Sequence, residues 1–199
     1  GGINGWFGRW SRTTPEGDNL NRDIAKEKAD SARYADAWRV GGGSMWMTPA
    51  YDAETKTLYV GIGNPSPDLD GSIRPGDNLW TESVVALDAA TGRFKWGYQT
   101  VPHDVWDLDA VSPPVIAMVG GRKAVVHAGK TGWVYVLDAA TGRLIRRSDA
   151  FVPQENMFPE VRTLRGPLSC LNEARYGIVW GAVGAGRACF EAALEYAKE

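Results

Sequence analysis

The chain has 199 residues, a formal net charge of −2 and 44% hydrophobic residues, enough for one domain with a sizeable core. The charge balance argues against nucleic acid, which calls for basic clusters. No apolar run of about 18 residues is present to span a membrane, and Gly1–Trp10 lacks the charged start and apolar stretch of a signal peptide.

Gly1–Arg39 is polar and irregular, and Asp23–Ala37 (DIAKEKADSARYADA) reads as a short helix with mixed charges and little apolar stripe, a solvated insertion on a scaffold. Three glycines, Gly41, Gly42 and Gly43, then permit a sharp turn or a close backbone approach ahead of Ser44-Met45-Trp46. Core packing is the ordinary fate of a tryptophan such as Trp46. Ala50–Gly63 predicts strand, turn, strand, with Asp52–Lys56 in the turn. Val84–Arg93 (VVALDAATGR) recurs as Val134–Arg143 (VYVLDAATGR), an offset of 50 residues that suits a repeated propeller blade or solenoid unit. Asp-Ala-Ala-Thr-Gly is a hairpin connection, the Asp bonding turn amides and the Gly supplying positive φ.

Asn64 and Asp107 each follow a strand-like run, and neighbouring strands would bring an amide oxygen and a carboxylate together, donors suited to a hard cation such as calcium. The competing reading is that both only make turns. Asp109 lies two residues beyond Asp107, so an extended backbone would put both carboxylates on one face. His103 and Asp104 read as satisfied loop residues. Val125–Lys130 runs from strand into turn. Cys170 and Cys189 show neither a CxxC spacing nor a disulfide framework. Eight of the nine tryptophans precede residue 135, and Ser169–Glu199 is instead rich in Ala, Leu and Glu, with helical texture.

Five blocks in order carry a resemblance: GGGSMW from Gly41, GNPSPD around Asn64, RPGDN from Arg74, KWGYQTVPHDVWD ending at Asp107, and HAGKTGWVYVLD from His127. They resemble the quinoprotein alcohol dehydrogenases, β-propellers that bind pyrroloquinoline quinone (PQQ), over Arg12–Phe158. The resemblance implies a mainly β fold, a partial β-propeller. It implies that PQQ stacks on Trp46 with Lys130 and Ser44 at its edge. Asn64 and Asp107 would ligate calcium or a lanthanide, Asp109 would be the extra carboxylate of the lanthanide case, and Asp107 would be the catalytic base. Ala86–Trp96 resembles the family's tryptophan-docking motif, in which the indole ties one blade to the next; Arg146 stands at the equivalent place in the second copy. A small alcohol substrate, a cytochrome c-type electron acceptor and a periplasmic location are implied with it.

The resemblance also places the family's glutamate ligand, its adjacent-cysteine disulfide and the closing blades outside this chain, so an inactive fragment is expected. Leu164–Glu199 resembles the helical domain of glutaryl-CoA-type acyl-CoA dehydrogenases. The expected organisation is thus a partial propeller over residues 1–150, a junction at 151–163, and a C-terminal α-helix over 164–199, a chimeric chain. Two other functions compete, an acyl-CoA dehydrogenase fragment and a non-catalytic propeller scaffold; the scaffold would keep Trp96 without the set Asn64, Asp107 and Lys130.

Overall fold

A computed structural model describes residues 5–110 and 112–148. The chain divides into units of residues 1–151 and 152–199, and the description concerns the first. The helix expected over 164–199 and the 151–163 junction lie outside the described residues.

The described residues form two four-stranded antiparallel sheets, each a simple meander. The first contains β1 (Ala50–Asp52), β2 (Thr57–Ile62), β3 (Ser83–Asp88) and β4 (Phe94–Gln99). The second contains β5 (Val115–Val119), β6 (Arg122–Ala128), β7 (Val134–Asp138) and β8 (Leu144–Arg147). The repeat seen in the sequence is the third strand of each sheet and the turn that leads into the fourth. Its turns are built alike: Asp88 Oδ1 accepts from the N–H of Ala90 and Thr91 and from the Thr91 hydroxyl, and Asp138 does the same for Ala140 and Thr141. Each ladder shifts register at the same point of the repeat, between Ala86 and Leu87 and between Val136 and Leu137.

One core joins the sheets. Tyr59, Val84, Ala86 and Trp96 from the first pack against Val125, Tyr135, Leu137 and Ala139 from the second. Two polar groups fix the contact: the Tyr59 hydroxyl and the Trp96 indole N–H both donate to the Ala139 carbonyl, each at 3.0 Å. Trp96 thus ties the two sheets as the docking motif implies, and the exposed Arg146 opposes Val136 where Trp96 opposes Ala86.

The amino-terminal segment is less helical than its composition suggests. Helix α1 covers only Ile24–Asp30, capped by Asp23, whose side chain accepts from Lys26 N–H; a 3-10 turn follows at Ala37–Val40. Only Ile24 of α1 is buried, so no apolar stripe supports a longer helix. The segment is held to the first sheet by charge instead. Buried Asp77 accepts from the N–H of Arg9 and Ser11 and from Arg22, and Arg22 also pairs with Glu27 at 2.6 Å.

Candidate functional site

The loops after β2, β4 and β6 and the segment before β1 meet at one end of the sheets. Gly43 N–H donates to the Asn64 carbonyl at 2.8 Å, and Gly63 N–H donates to the Ser44 carbonyl at 2.9 Å. Both contacts depend on absent side chains. Gly42 has φ +89° and a Cβ there would lie 2.5 Å from Ser66 N. A Cβ on Gly63 would lie 2.6 Å from the Trp46 ring and 2.9 Å from Asp109 Oδ1, so Gly63 forms the floor on which the indole and the carboxylate meet.

Asp109 is the hub. Its Oδ1 accepts from Asn64 N–H at 2.9 Å, and its Oδ2 accepts from Lys130 Nζ at 2.5 Å. The same ammonium donates to the Asp107 carbonyl at 2.9 Å and lies 3.4 Å from Asp107 Oδ2. The extended geometry expected for this pair is not what unites them. Asp107 (φ +61°) and Asp109 (φ +38°) are both left-handed, a conformation that Asp tolerates better than most residues. Asp104 enforces the turn, its buried carboxylate accepting from Trp106 and Leu108 N–H, each at 2.9 Å. His103 Nδ1–H donates to the Gly76 carbonyl at 2.8 Å, which keeps the imidazole in the loop.

Trp46 is 54% exposed, so its ring is not buried in the core, and its edge lies against Gly63. Ser44 enters through its carbonyl. Asp107 is half-exposed and Asp109 nearly buried. Partial burial raises the Asp107 pKa, Lys130 opposes, and the Asp109 charge adds to the rise. Burial pulls the Lys130 ammonium down, but its hydrogen bond to Asp109 and the two carboxylate charges outweigh this and leave its pKa raised. Among the described residues, no three His, Cys, Asp or Glu side chains gather as ligands for one ion. The oxygen donors assembled here are the Asp107 and Asp109 carboxylates, both drawn to one positive charge, the Lys130 ammonium, while Asn64 joins them through its backbone N–H and its side-chain amide donates to the Pro65 carbonyl. That donor chemistry fits a hard cation.

Three further groups are buried by contacts that the sequence does not announce. Arg74 donates to Asn78 Oδ1 and to the carbonyls of Pro67, Asp68 and Asp104, joining the loop after Asn64 to the loop of Asp107. Glu82, at the entrance to β3, is 1% exposed, and burial pushes its carboxyl up to about 8, the nearby Asp104 and Asp109 adding to the rise. His127, on β6, is buried, and desolvation drops its pKa to about 4 against a backbone contact from Ser112. Because the folded value lies below the unfolded one near 6.5, the stability linked to His127 is present above pH 6.5 and is lost as pH falls toward 4, at most about 3 kcal/mol. Urea melts between pH 7.5 and 5 should show this loss, and His127→Phe should flatten it; an unchanged slope in the variant would refute the assignment.

A family model described as the glucose/ethanol/alcohol dehydrogenase β-propeller domain, PQQ, matches residues 18–175. The matched stretch runs past the 151–163 junction and overlaps the tail from 164 to 175. The methanol dehydrogenase [cytochrome c] subunit 1 of Methylorubrum extorquens is 42% identical over 115 residues, 55% of this chain and 18% of that protein. The lanthanide-dependent methanol dehydrogenase of the same organism is 34% identical over 152 residues, 74% of this chain and 25% of that protein. The crystal structure of the quinohemoprotein alcohol dehydrogenase from Comamonas testosteroni superposes with a TM-score of 0.55 at 37% identity, covering 70% of this chain and 22% of that one. The chain spans about a fifth of the length of the curated relatives it matches.

Proposed function

The chain belongs to the PQQ-dependent glucose/ethanol/alcohol dehydrogenase β-propeller family, and from that membership we propose that it is a section of an enzyme oxidising an alcohol to an aldehyde or ketone with PQQ and a calcium or lanthanide ion. The observation that carries this reading is the convergence of Trp46, Asn64, Asp107, Asp109 and Lys130 from separate segments around one floor, Gly63.

Each side chain has a part in that reading. The exposed ring of Trp46 is the stacking surface for a planar quinone. Asn64, Asp107 and Asp109 offer oxygens to the ion, and the two carboxylates supply the charge that favours a trivalent one. Lys130 offers ammonium donors at the quinone edge, with Ser44 beside it. Asp107, half-exposed and with its pKa already raised, takes the alcohol proton as general base. When bound, PQQ accepts the hydride and the ion polarises its carbonyl. A cytochrome c-type acceptor is proposed from the name of the methanol dehydrogenase relative. A periplasmic location is proposed with it; among the described residues no helix is long and apolar enough to cross a membrane.

Terbium provides the test, because Trp46 beside the carboxylates is positioned to sensitise its emission. The 199-residue chain should show tryptophan-sensitised terbium luminescence, and Asp107→Asn with Asp109→Asn should weaken binding by about a hundredfold, on the order of tenfold for each charge removed. With lanthanum bound, PQQ should quench tryptophan fluorescence, and Trp46→Ala should reduce that quenching. Terbium binding that ignores both carboxylate substitutions would sink the reading.

A further inference from the structure

Behind the floor of this site, Glu82 is buried with half of its carboxyl unused. Its N–H donates to the Gly63 carbonyl at 3.0 Å, placing it directly beneath the residue against which Trp46 and Asp109 meet. Thr100 holds one end of the residue: its N–H donates to the Glu82 carbonyl at 2.8 Å, and its hydroxyl lies 2.9 Å from Oε1. Oε2 has no hydrogen-bond partner among the described residues. The residue itself is left-handed, with φ +49°, at the first turn into β3. A surface glutamate would avoid both features by turning to solvent.

An orphan oxygen in such a place is incomplete in either protonation state. As a carboxylate it lacks a donor or counter-charge, and as an acid its O–H lacks an acceptor, which is costly away from water. The charged groups that act on it are Asp104 and Asp109, which repel its negative form, and Lys130, which attracts it. The field around Glu82 is therefore short of positive charge, and Lys130 is already engaged by Asp107 and Asp109.

We infer that Glu82 is a specificity-determining residue of the cation site, a buried carboxyl behind Gly63 whose negative charge raises the preference for a trivalent over a divalent ion. This rests on the cation reading of Asn64, Asp107 and Asp109. Without a cation the buried carboxyl is held largely protonated, and a cation at that donor set draws it into its ionised form. Glu82 then acts from behind the donors through its charge, and the attraction grows with the charge of the ion.

The test is a terbium titration of the 199-residue chain followed by competition with calcium, for the wild type, Glu82→Gln and Asp107→Asn. Glu82→Gln preserves the shape and the Thr100 contact. It should lower the terbium-to-calcium affinity ratio by about tenfold. Glu82→Met, which fills the space with an apolar chain, should give the same loss and guards against a Gln-specific folding defect; circular dichroism establishes that each variant is folded. An unchanged ratio in folded Glu82→Gln and Glu82→Met, with terbium still sensitive to Asp107→Asn, overturns this inference alone and means that Oε2 is completed by water. Terbium binding that is indifferent to Asp107→Asn overturns the cation reading, and this inference with it.

Discussion

Trp96→Ala is expected to destabilise the chain by roughly 3–5 kcal/mol, the range for truncating a buried aromatic. The indole is 7% exposed and packs 5.7 Å from the Tyr59 ring, within the core shared by the two sheets. Its loss removes apolar surface from both sheets at once, leaving the Tyr98–Tyr135 ring contact and the Lys123–Asp52 ion pair among the remaining links. The polar part of the contact can be separated. Ala139 O accepts from both Trp96 Nε1 and the Tyr59 hydroxyl, so Trp96→Phe leaves that carbonyl satisfied and should cost only about 1 kcal/mol in hydrogen bonding, besides the smaller ring. Urea melts of the two variants decide it. A cost below about 1.5 kcal/mol for Trp96→Ala would mean that the sheets do not depend on this contact.

The parts legible in the sequence were those written locally. The Asp-x-x-Thr-Gly hairpins close on their own side chains within three residues, which is why a 50-residue repeat in the sequence became the same turn twice in the fold. The strand Val115–Val119 gave no such signal: it lies at the edge of its sheet, with most of its residues partly or wholly exposed and no period-2 contrast to mark a face. All six candidate site residues lie in the motif blocks or beside them, and they meet through Gly63, Asp109 and Lys130, Ser44 by its carbonyl and Asn64 by its backbone N–H. How Asp107 and Asp109 meet was not legible, because the left-handed turn at each depends on Asp104 capping two N–H groups beyond it. Glu82, Arg74 and His127 read as ordinary polar residues because nothing within a few positions buries them. Their burial comes from partners far along the chain: Thr100 for Glu82, and Asp104 for Arg74. The usable signal for Glu82 is a carboxylate directly before an apolar strand run.

Arg74→Met should cost about 3–5 kcal/mol and weaken cation binding together, because a single guanidinium holds both loops that carry the proposed ligands. Arg74 is fully buried. Its Nε donates to Pro67 O at 2.9 Å, and its terminal nitrogens reach Asn78 Oδ1 at 2.7 Å, Asp68 O at 3.1 Å and Asp104 O at 2.6 Å. The first loop begins at Asn64, and the second runs on to Asp107 and Asp109. Burial lowers the Arg74 pKa to about 10, with the Asp104 charge opposing, so the cation is retained at neutral pH. Methionine would fill the space but leave four acceptors unpaired and remove the positive charge that balances buried Asp104, whose own pKa is already raised by burial. Arg74→Lys tests geometry against charge. A lysine keeps the charge but presents one compact donor group in place of a planar fork, so it should recover only part of the stability. The measurement pairs a urea melt with the terbium titration for both variants. If Arg74→Met lowers stability but leaves terbium affinity within about twofold in the folded chain, the loops are held by other contacts and Arg74 is structural alone.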